Sequence, residues 1–205
     1  MSGHPLDDFK FELTHYGISP LSEFLEIKNT VDVVPPSRVF RLAGLVTEGQ
    51  HRVTKTGKNF GIMHIEDFTG KCDFAMFSED YVKFSKYLEK GTIVMLEGSF
   101  KQRYNSDNYE FKIIKLHLLE TVKSSLTKEV KIEIQPGDIK LEMINFLETN
   151  VKDNPGKTTL KFLIKDFEDK MKVGLYTLEK SFTMNDDMAF YLNNRNDIGV
   201  SVLTA

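Results

Sequence analysis

"KCDFAMFSEDYVKFSKYLEKGTIVMLEGSF", residues Lys71 to Phe100, is the stretch on which the fold turns. Its opening alternates, with Cys72, Phe74 and Met76 against Lys71, Asp73 and Ala75, the period of a strand with one face in a core. Ser78 is placed as the N-cap of a helix, and Glu79 and Asp80 complement that helix's positive end. Phe77 and Val82 are spaced for a hydrophobic staple. Tyr81, Phe84 and Leu88 share one helical face, and Gly91 ends the helix. "TIVMLEGSF" then reads as a strand again. One helix sits between two strands.

The neighbours on both sides are strands. "VFRLAGLVTEGQHRV" (39–53) is β-rich, with Gly44 mid-run where a bent strand needs a small residue. "NFGIMHIED" (59–67) sets Met63 and Ile65 against Phe60, Ile62 and His64. Beyond the helix, "YEFKIIKLHLLE" (109–120) follows the polar loop "YNSDN" (104–108). Three strands, one helix and two strands make the order of the five-stranded oligonucleotide/oligosaccharide-binding (OB) barrel. The helix between strands three and four separates it from a sandwich. Residues 36–122 are therefore expected to form an all-β OB domain.

After Glu120 the pattern changes. "EVKIEI" (129–134) alternates as a strand, and "PGD" prepares a helix capped by Asp138 that buries Ile139, Met143, Phe146 and Leu147. "TTLKFLI" (158–164) and "MKVGLYTL" (171–178) suggest a hairpin. A short helix at "DDMAFYLNN" (186–194), capped by Asn185, precedes the strand "IGVSVL" (198–203). Residues 123–205 are expected as a small α+β domain. Residues 1–35 show no sustained period and are expected as a linker or the end of a preceding domain. "VVPPSR" (33–38) marks the boundary.

The totals bound the function. The 205 residues suffice for one large or two small domains, and 40% hydrophobic with 28% charged residues is the balance of a folded chain. A single cysteine, Cys72, fits a reducing compartment. No apolar run reaches spanning length and "MSGHPLDDFKFE" lacks the makeup of a signal peptide, so a cytoplasmic location is expected. The net charge of -3 divides as -4 over residues 1–35, +2 over 36–122 and -1 over 123–205. Any nucleic-acid contact must come from local charge in the middle segment.

Catalytic signatures are missing. The five histidines are scattered, with no Cys or His at metal-ligand spacing. Asp7-Asp8, Glu66-Asp67 and Asp186-Asp187 are neighbours that point apart rather than converging on a metal pair. "NPGKTTL" (154–160) imitates a P-loop but has Val151 where the first glycine belongs, and reads instead as a loop with a turn glycine. No catalytic residue, metal or cofactor is expected.

The positive indications are for single-stranded nucleic acid. An OB domain offers its second and third strands and the loops between strands one and two and strands four and five. The first loop supplies Arg52, Lys55 and Lys58, with no acid before Glu66. Such lysines neutralise phosphates and release counterions, although a bare solvated loop would read the same. The second loop groups Arg103, Tyr104 and Tyr109. Phe60, Tyr104 and Tyr109 are candidates to stack on bases. His64, Lys71 and Lys101 complete the candidate set.

The middle segment also resembles a known family. "FRLAGLVTEGQHRVTKTGKNFGIMHIEDFTGKCDFAMF" with "YLEKGTIVMLEGSF" is similar to the OB domain of the bacterial DNA polymerase III α subunit, and "SGHPLDDF" resembles the segment before that domain. The resemblance implies a C-terminal fragment of a DNA-directed DNA polymerase, a nucleotidyltransferase whose catalytic carboxylates and sliding-clamp motif lie upstream of "SGHPL". It implies an OB domain that contacts single-stranded template. It further implies a C-terminal domain that docks the clamp-loader τ subunit among other replisome subunits. Two other readings stay open on the residues alone: an anticodon-binding OB domain of a class II aminoacyl-tRNA synthetase, and an OB domain used only to dock proteins.

Overall fold

The computed structural model describes residues 3–29, 38–102, 108–166, 171–176 and 181–205. Two compact units divide the chain: residues 1–13 with 17–120, and residues 14–16 with 121–205.

The first unit is a five-stranded antiparallel sheet in the order β3-β2-β1-β4-β5, formed by Val39–Val53 (β1), Asn59–Glu66 (β2), Lys71–Phe77 (β3), Ile93–Gln102 (β4) and Tyr109–Leu118 (β5). The long β1 serves two partners, β4 through its first half and β2 through its second. It changes partner where a bulge interrupts the register between Val46 and Glu48, which bends the strand. Gly44 belongs to this corner, because a Cβ there would lie 2.9 Å from the carbonyl oxygen of Glu66. The edges β3 and β5 share no ladder among the described residues.

Inside the sheet lie Leu42, Val46, Met63, Ile65, Phe74, Met76, Val94 and Leu96, each at most 4% exposed, and those of β2 and β3 follow the alternating phase read from the sequence. Ser78–Phe84 (α3) and a 3-10 turn at Ser85–Tyr87 sit between β3 and β4. Leu88 closes that end against Gly49, where any Cβ would fall 1.6 Å from the Leu88 carbonyl oxygen.

Three local expectations fail here. Ser78 does not cap α3: the N-cap is Phe77, no side chain bonds the first turn, and Ser78 is the first helical residue at φ +50°. Val82 is 80% exposed, so no staple forms. The α-helix ends at Phe84, and Gly91 serves a later turn at φ +93°, donating to the Val46 carbonyl at 2.8 Å. Residues 5–29, expected within a linker or the end of a preceding domain, carry regular structure. They form a 3-10 turn at Pro5–Phe9 and the helices Lys10–His15 (α1) and Leu21–Asn29 (α2).

Phe24 of α2 is fully buried among Phe40, Phe74, Phe100 and Phe111, with ring centroids 5.6, 5.8, 5.7 and 4.9 Å away. Leu21, Phe24 and Leu25 of α2 have i, i+3, i+4 spacing, but the helix is only nine residues long, too short for a sustained period to stand out in the sequence.

In the second unit, Thr127–Ile134 (β6), Pro155–Asp166 (β7), Met171–Tyr176 (β8) and Gly199–Thr204 (β9) form a sheet ordered β8-β7-β6-β9. Strand β7 runs parallel to β6, and such a pair needs a crossover. The helix Leu141–Asp153 (α5) supplies it. Val130, Ile132 and Ile134 pair with Leu160, Phe162 and Ile164 in one apolar ladder. On the opposite face Lys161 meets Glu129, Lys165 meets Glu133, and Lys131 reaches Glu133 at 3.2 Å.

Asp138 lies in a 3-10 turn and does not cap α5, whose N-cap is Lys140. Met143 and Leu147 are buried as expected, whereas Ile139 precedes the helix and Phe146 is half-buried against Tyr191. Asn185 does cap Asp186–Asn193 (α6), accepting from the Met188 amide at 2.9 Å. "NPGKTTL" is not a loop: β7 starts at Pro155, and the Gly156 amide donates to the Ser181 carbonyl at 3.2 Å. The remaining helix, Leu119–Leu126 (α4), spans the division between the units.

Candidate nucleic-acid interface

The candidate residues of strands one to three share the outer face of β1, β2 and β3. Cross-strand partners share a face, so the registers place the outward side chains in rows. Arg52, Phe60 and Phe77 form the first row, Gln50, Ile62 and Ala75 the second, Glu48, His64 and Asp73 the third, with Glu66 and Lys71 below.

The top row has the chemistry of a base platform. Phe60 and Phe77 lie nearly parallel, their ring centroids 5.3 Å apart and their planes 16° from one another. Phe77 remains 42% exposed. Burying aromatic surface is favourable, and an exposed stacked pair leaves that gain available to a third planar ring. Arg52 stands beside Phe60 and is exposed.

The hairpin above this row is rigid. The Thr54 amide donates to the Lys58 carbonyl at 2.8 Å, and the Gly57 amide to the Thr54 carbonyl at 3.0 Å. The Lys58 amide donates to Thr54 Oγ1 at 3.0 Å. Gly57 sits at φ +78°, the left-handed position that ends this kind of hairpin loop. Lys55 and Lys58 are held outward on this frame, exposed, and neither forms an ion pair among the described residues.

The other candidates are less free. His64 Nδ1 lies 2.6 Å from Asp73 Oδ1, and its Nε2 is buried with no partner among the described residues. Lys71 is paired with Glu66 at 3.0 Å. Lys101 and Tyr109 belong to the β4–β5 pair, opposite Glu110 and Gln102, and Tyr109 packs against the core. Arg103 and Tyr104 lie outside the described residues. The structure thus brings together Arg52, Lys55, Lys58 and Phe60, with His64 and Lys71 farther along the same face.

Phe77 is the residue that sequence reading missed. The alternation of Lys71, Asp73 and Ala75 extended by one step places it outward, but the staple expectation had assigned it to the helix.

The same face carries a structural clamp at its far end. Asp67 Oδ1, in the β2–β3 turn, accepts from the Thr69 amide, the Thr69 hydroxyl and the Gly70 amide at 2.7–2.8 Å. Asp67 Oδ2 accepts from the Leu21 amide at 2.8 Å, and Thr69 Oγ1 from the Ser22 amide at 3.1 Å. The turn therefore satisfies the amides that open α2. His4 caps the N-terminal 3-10 turn in a capping box with Asp7, and its ring lies 4.4 Å from that of Phe68.

Elsewhere on the unit one ion-pair cluster is centred on a buried carboxylate. Glu97 is 5% exposed and takes Arg41 at 2.9 Å and Lys115 at 3.2 Å. Burial pushes the Cys72 thiol up and holds the His117 imidazole down. Among the described residues no three His, Cys, Asp or Glu side chains are grouped to hold a metal ion, and no helix is long and apolar enough to cross a membrane.

Comparison with known proteins adds to this geometry. Residues 40–119 match the model of the OB-fold nucleic acid binding domain, and residues 130–203 match that of the DNA polymerase III alpha subunit, C-terminal domain. The chain is similar to the C-terminal region of the DNA polymerase III α subunit. The DNA polymerase III subunit alpha of Pasteurella multocida is 26% identical over 160 residues, which cover 77% of this chain and 13% of that protein. Its counterpart in Bacillus subtilis is 24% identical over 186 residues, covering 91% of this chain and 15% of that protein. The chain thus spans a small part of the α subunits it matches. Among solved structures, the single-stranded DNA binding protein of Thermus aquaticus overlaps 48% of this chain and 61% of its own, at 17% identity and a TM-score of 0.26.

Proposed function

We propose that the first unit holds single-stranded DNA on the outer face of β2 and β3, as a non-catalytic part of a DNA polymerase III α subunit in the bacterial cytoplasm. The observation that carries this reading is the row Arg52–Phe60–Phe77 beneath a rigid hairpin whose Lys55 and Lys58 have no ion-pair partner among the described residues. The lysines set the backbone and the rings take the bases, so the contact positions a strand rather than reading its sequence. The second unit, in this reading, docks a clamp-loader subunit of the τ kind. The similarity to DNA polymerase subunits favours a DNA template over a tRNA anticodon loop.

The test is a salt titration of binding to fluorescein-labelled oligo(dT), followed by anisotropy. Single strands lose affinity with a slope of about -0.7 per neutralised phosphate, so Lys55→Ala with Lys58→Ala should flatten the slope by about 1.4. An unchanged slope and affinity would remove the hairpin from the interface, and a preference for an RNA anticodon stem-loop would restore the synthetase reading. Nucleotide incorporation by this chain alone is expected to be zero. The second unit's assignment is tested by whether immobilised τ retains the chain, and fails if it retains none.

A further inference from the structure

Beside the stacked pair, the backbone does something costly. Ser78 lies at φ +50°, the only non-glycine residue at positive φ among the described residues. Side chains there are disfavoured, and such conformations gather where a site needs them. The kink turns the chain sharply from β3 into α3 and opens a groove of about 570 Å³ between the hairpin and the helix. One wall is Lys58 and Asn59 of the hairpin, and the other is Ser78, Glu79, Val82 and Lys83.

The groove pairs an apolar shelf with polar groups of defined character. Val82, 80% exposed, and the Tyr81 ring form its apolar side. Helix α3 is held in place by Tyr81 Oη at 2.9 Å from His51 Nδ1 and by Lys83 Nζ donating to the Ile114 carbonyl at 3.3 Å. The Lys58 ammonium is available to a phosphate, and Lys83 across the groove is a second cation. The Glu79 carboxylate, exposed on the same groove, only accepts hydrogen bonds at neutral pH.

We infer that this groove is a base subsite of the single strand: one unstacked base lies on the Tyr81–Val82 shelf, its phosphate against Lys58 and its edge against Glu79. The inference rests on the proposed single-strand binding and adds a preference to it. A carboxylate accepts from the exocyclic amine of cytosine, whereas thymine offers a carbonyl at that position. The strand then leaves the Phe60–Phe77 platform toward α3, and cytosine is favoured over thymine at this one position.

The experiment compares oligo(dC) and oligo(dT) in competition anisotropy on the whole chain, with oligo(rC) and oligo(rU) as the RNA arms. Oligo(dC) should bind about fivefold or more tightly than oligo(dT), the lower end of a base-edge contact. Glu79→Gln should abolish most of that difference, and Val82→Asp should weaken both tracts. Because both side chains are exposed, far-ultraviolet circular dichroism of each variant should match the parent. Equal binding of the two DNA tracts, or a preference that survives Glu79→Gln, overturns the subsite while salt-sensitive binding leaves the broader proposal standing. No binding of any tract overturns both. Tighter binding of the RNA tracts keeps the subsite and reassigns its natural strand to RNA.

Discussion

Asp67→Ala should loosen the first unit from a position far along the sheet from the hairpin. One carboxylate closes the β2–β3 turn through Oδ1 and satisfies the opening amide of α2 through Oδ2. Losing a capping acceptor costs about 0.5–2 kcal/mol, and hydrogen bonds to charged groups contribute about 1.5–3 kcal/mol each where water does not replace them. The Thr69 contacts are exposed, so water takes them over, whereas the Leu21 and Gly70 contacts are partly buried. The sum expected is about 2–3 kcal/mol. The loss spreads, because α2 carries Phe24 into a cage of four phenylalanine rings. Asp67→Asn keeps one acceptor oxygen, which cannot serve both the turn and α2, so about half the loss is expected. Two compact units need not melt together, and the assay is therefore amide hydrogen exchange by NMR rather than one melting curve. Protection at Leu21, Ser22 and Phe24 should fall by about thirtyfold or more for the Ala variant. Protection within a factor of two of the parent would refute the clamp.

Two further outcomes follow from buried charge and buried imidazole. Glu97→Ala leaves Arg41 beside a buried gap and should destabilise the first unit by about 3 kcal/mol in urea titrations, a loss that Lys115→Ala, at an exposed partner, does not reproduce. His117 and His15 are both held below the ordinary histidine range by burial. For His117, Glu97 opposes that shift while Lys115 and Arg41 add to it. The unfolded chain takes up these protons first, so the stability is complete above pH 6.5, the unfolded value, and falls as pH drops toward the lowered folded values. His117→Gln should flatten the fall measured by urea titration between pH 7 and 5, and an unaltered profile would contradict it.

The strands of the first unit were legible because each core face follows a period of two: Met63 and Ile65, then Cys72, Phe74 and Met76, are buried in the phase the sequence announces. What stayed hidden depends on contacts distant in sequence. The turn that caps α2 is 46 residues away from Leu21, and no local window contains it. Strand β7 looks like half of a hairpin with β8, and it is, but its parallel pairing to β6 depends on a crossover that periodicity does not encode. In the site, Lys55 and Lys58 were visible as charge without neighbouring acids. His64 and Lys71 looked equally free until the fold brought Asp73 and Glu66 across to them.

Two of the motifs that carry the family resemblance, "GHPLD" and "EDFTG", meet at the clamp and not on the candidate platform: His4 rests on Phe68, and Asp67 holds Leu21. Their chemistry is that of a cap and a turn, which an OB domain needs whatever it binds. These two motifs speak for the architecture of residues 3–29 and 38–102, while the resembling stretch "VTKTGK" is the basic hairpin itself and the ligand is argued from the side chains of hairpin and platform. Those are Arg52, Lys55, Lys58, Phe60 and Phe77, whose removal should leave the clamp intact. The separation is itself testable: Lys55→Ala with Lys58→Ala should weaken oligo(dT) binding with Leu21 protection unchanged. Joint loss of binding and protection would mean that the hairpin and the clamp act as one structural element, and that the basic loop owes its place to folding.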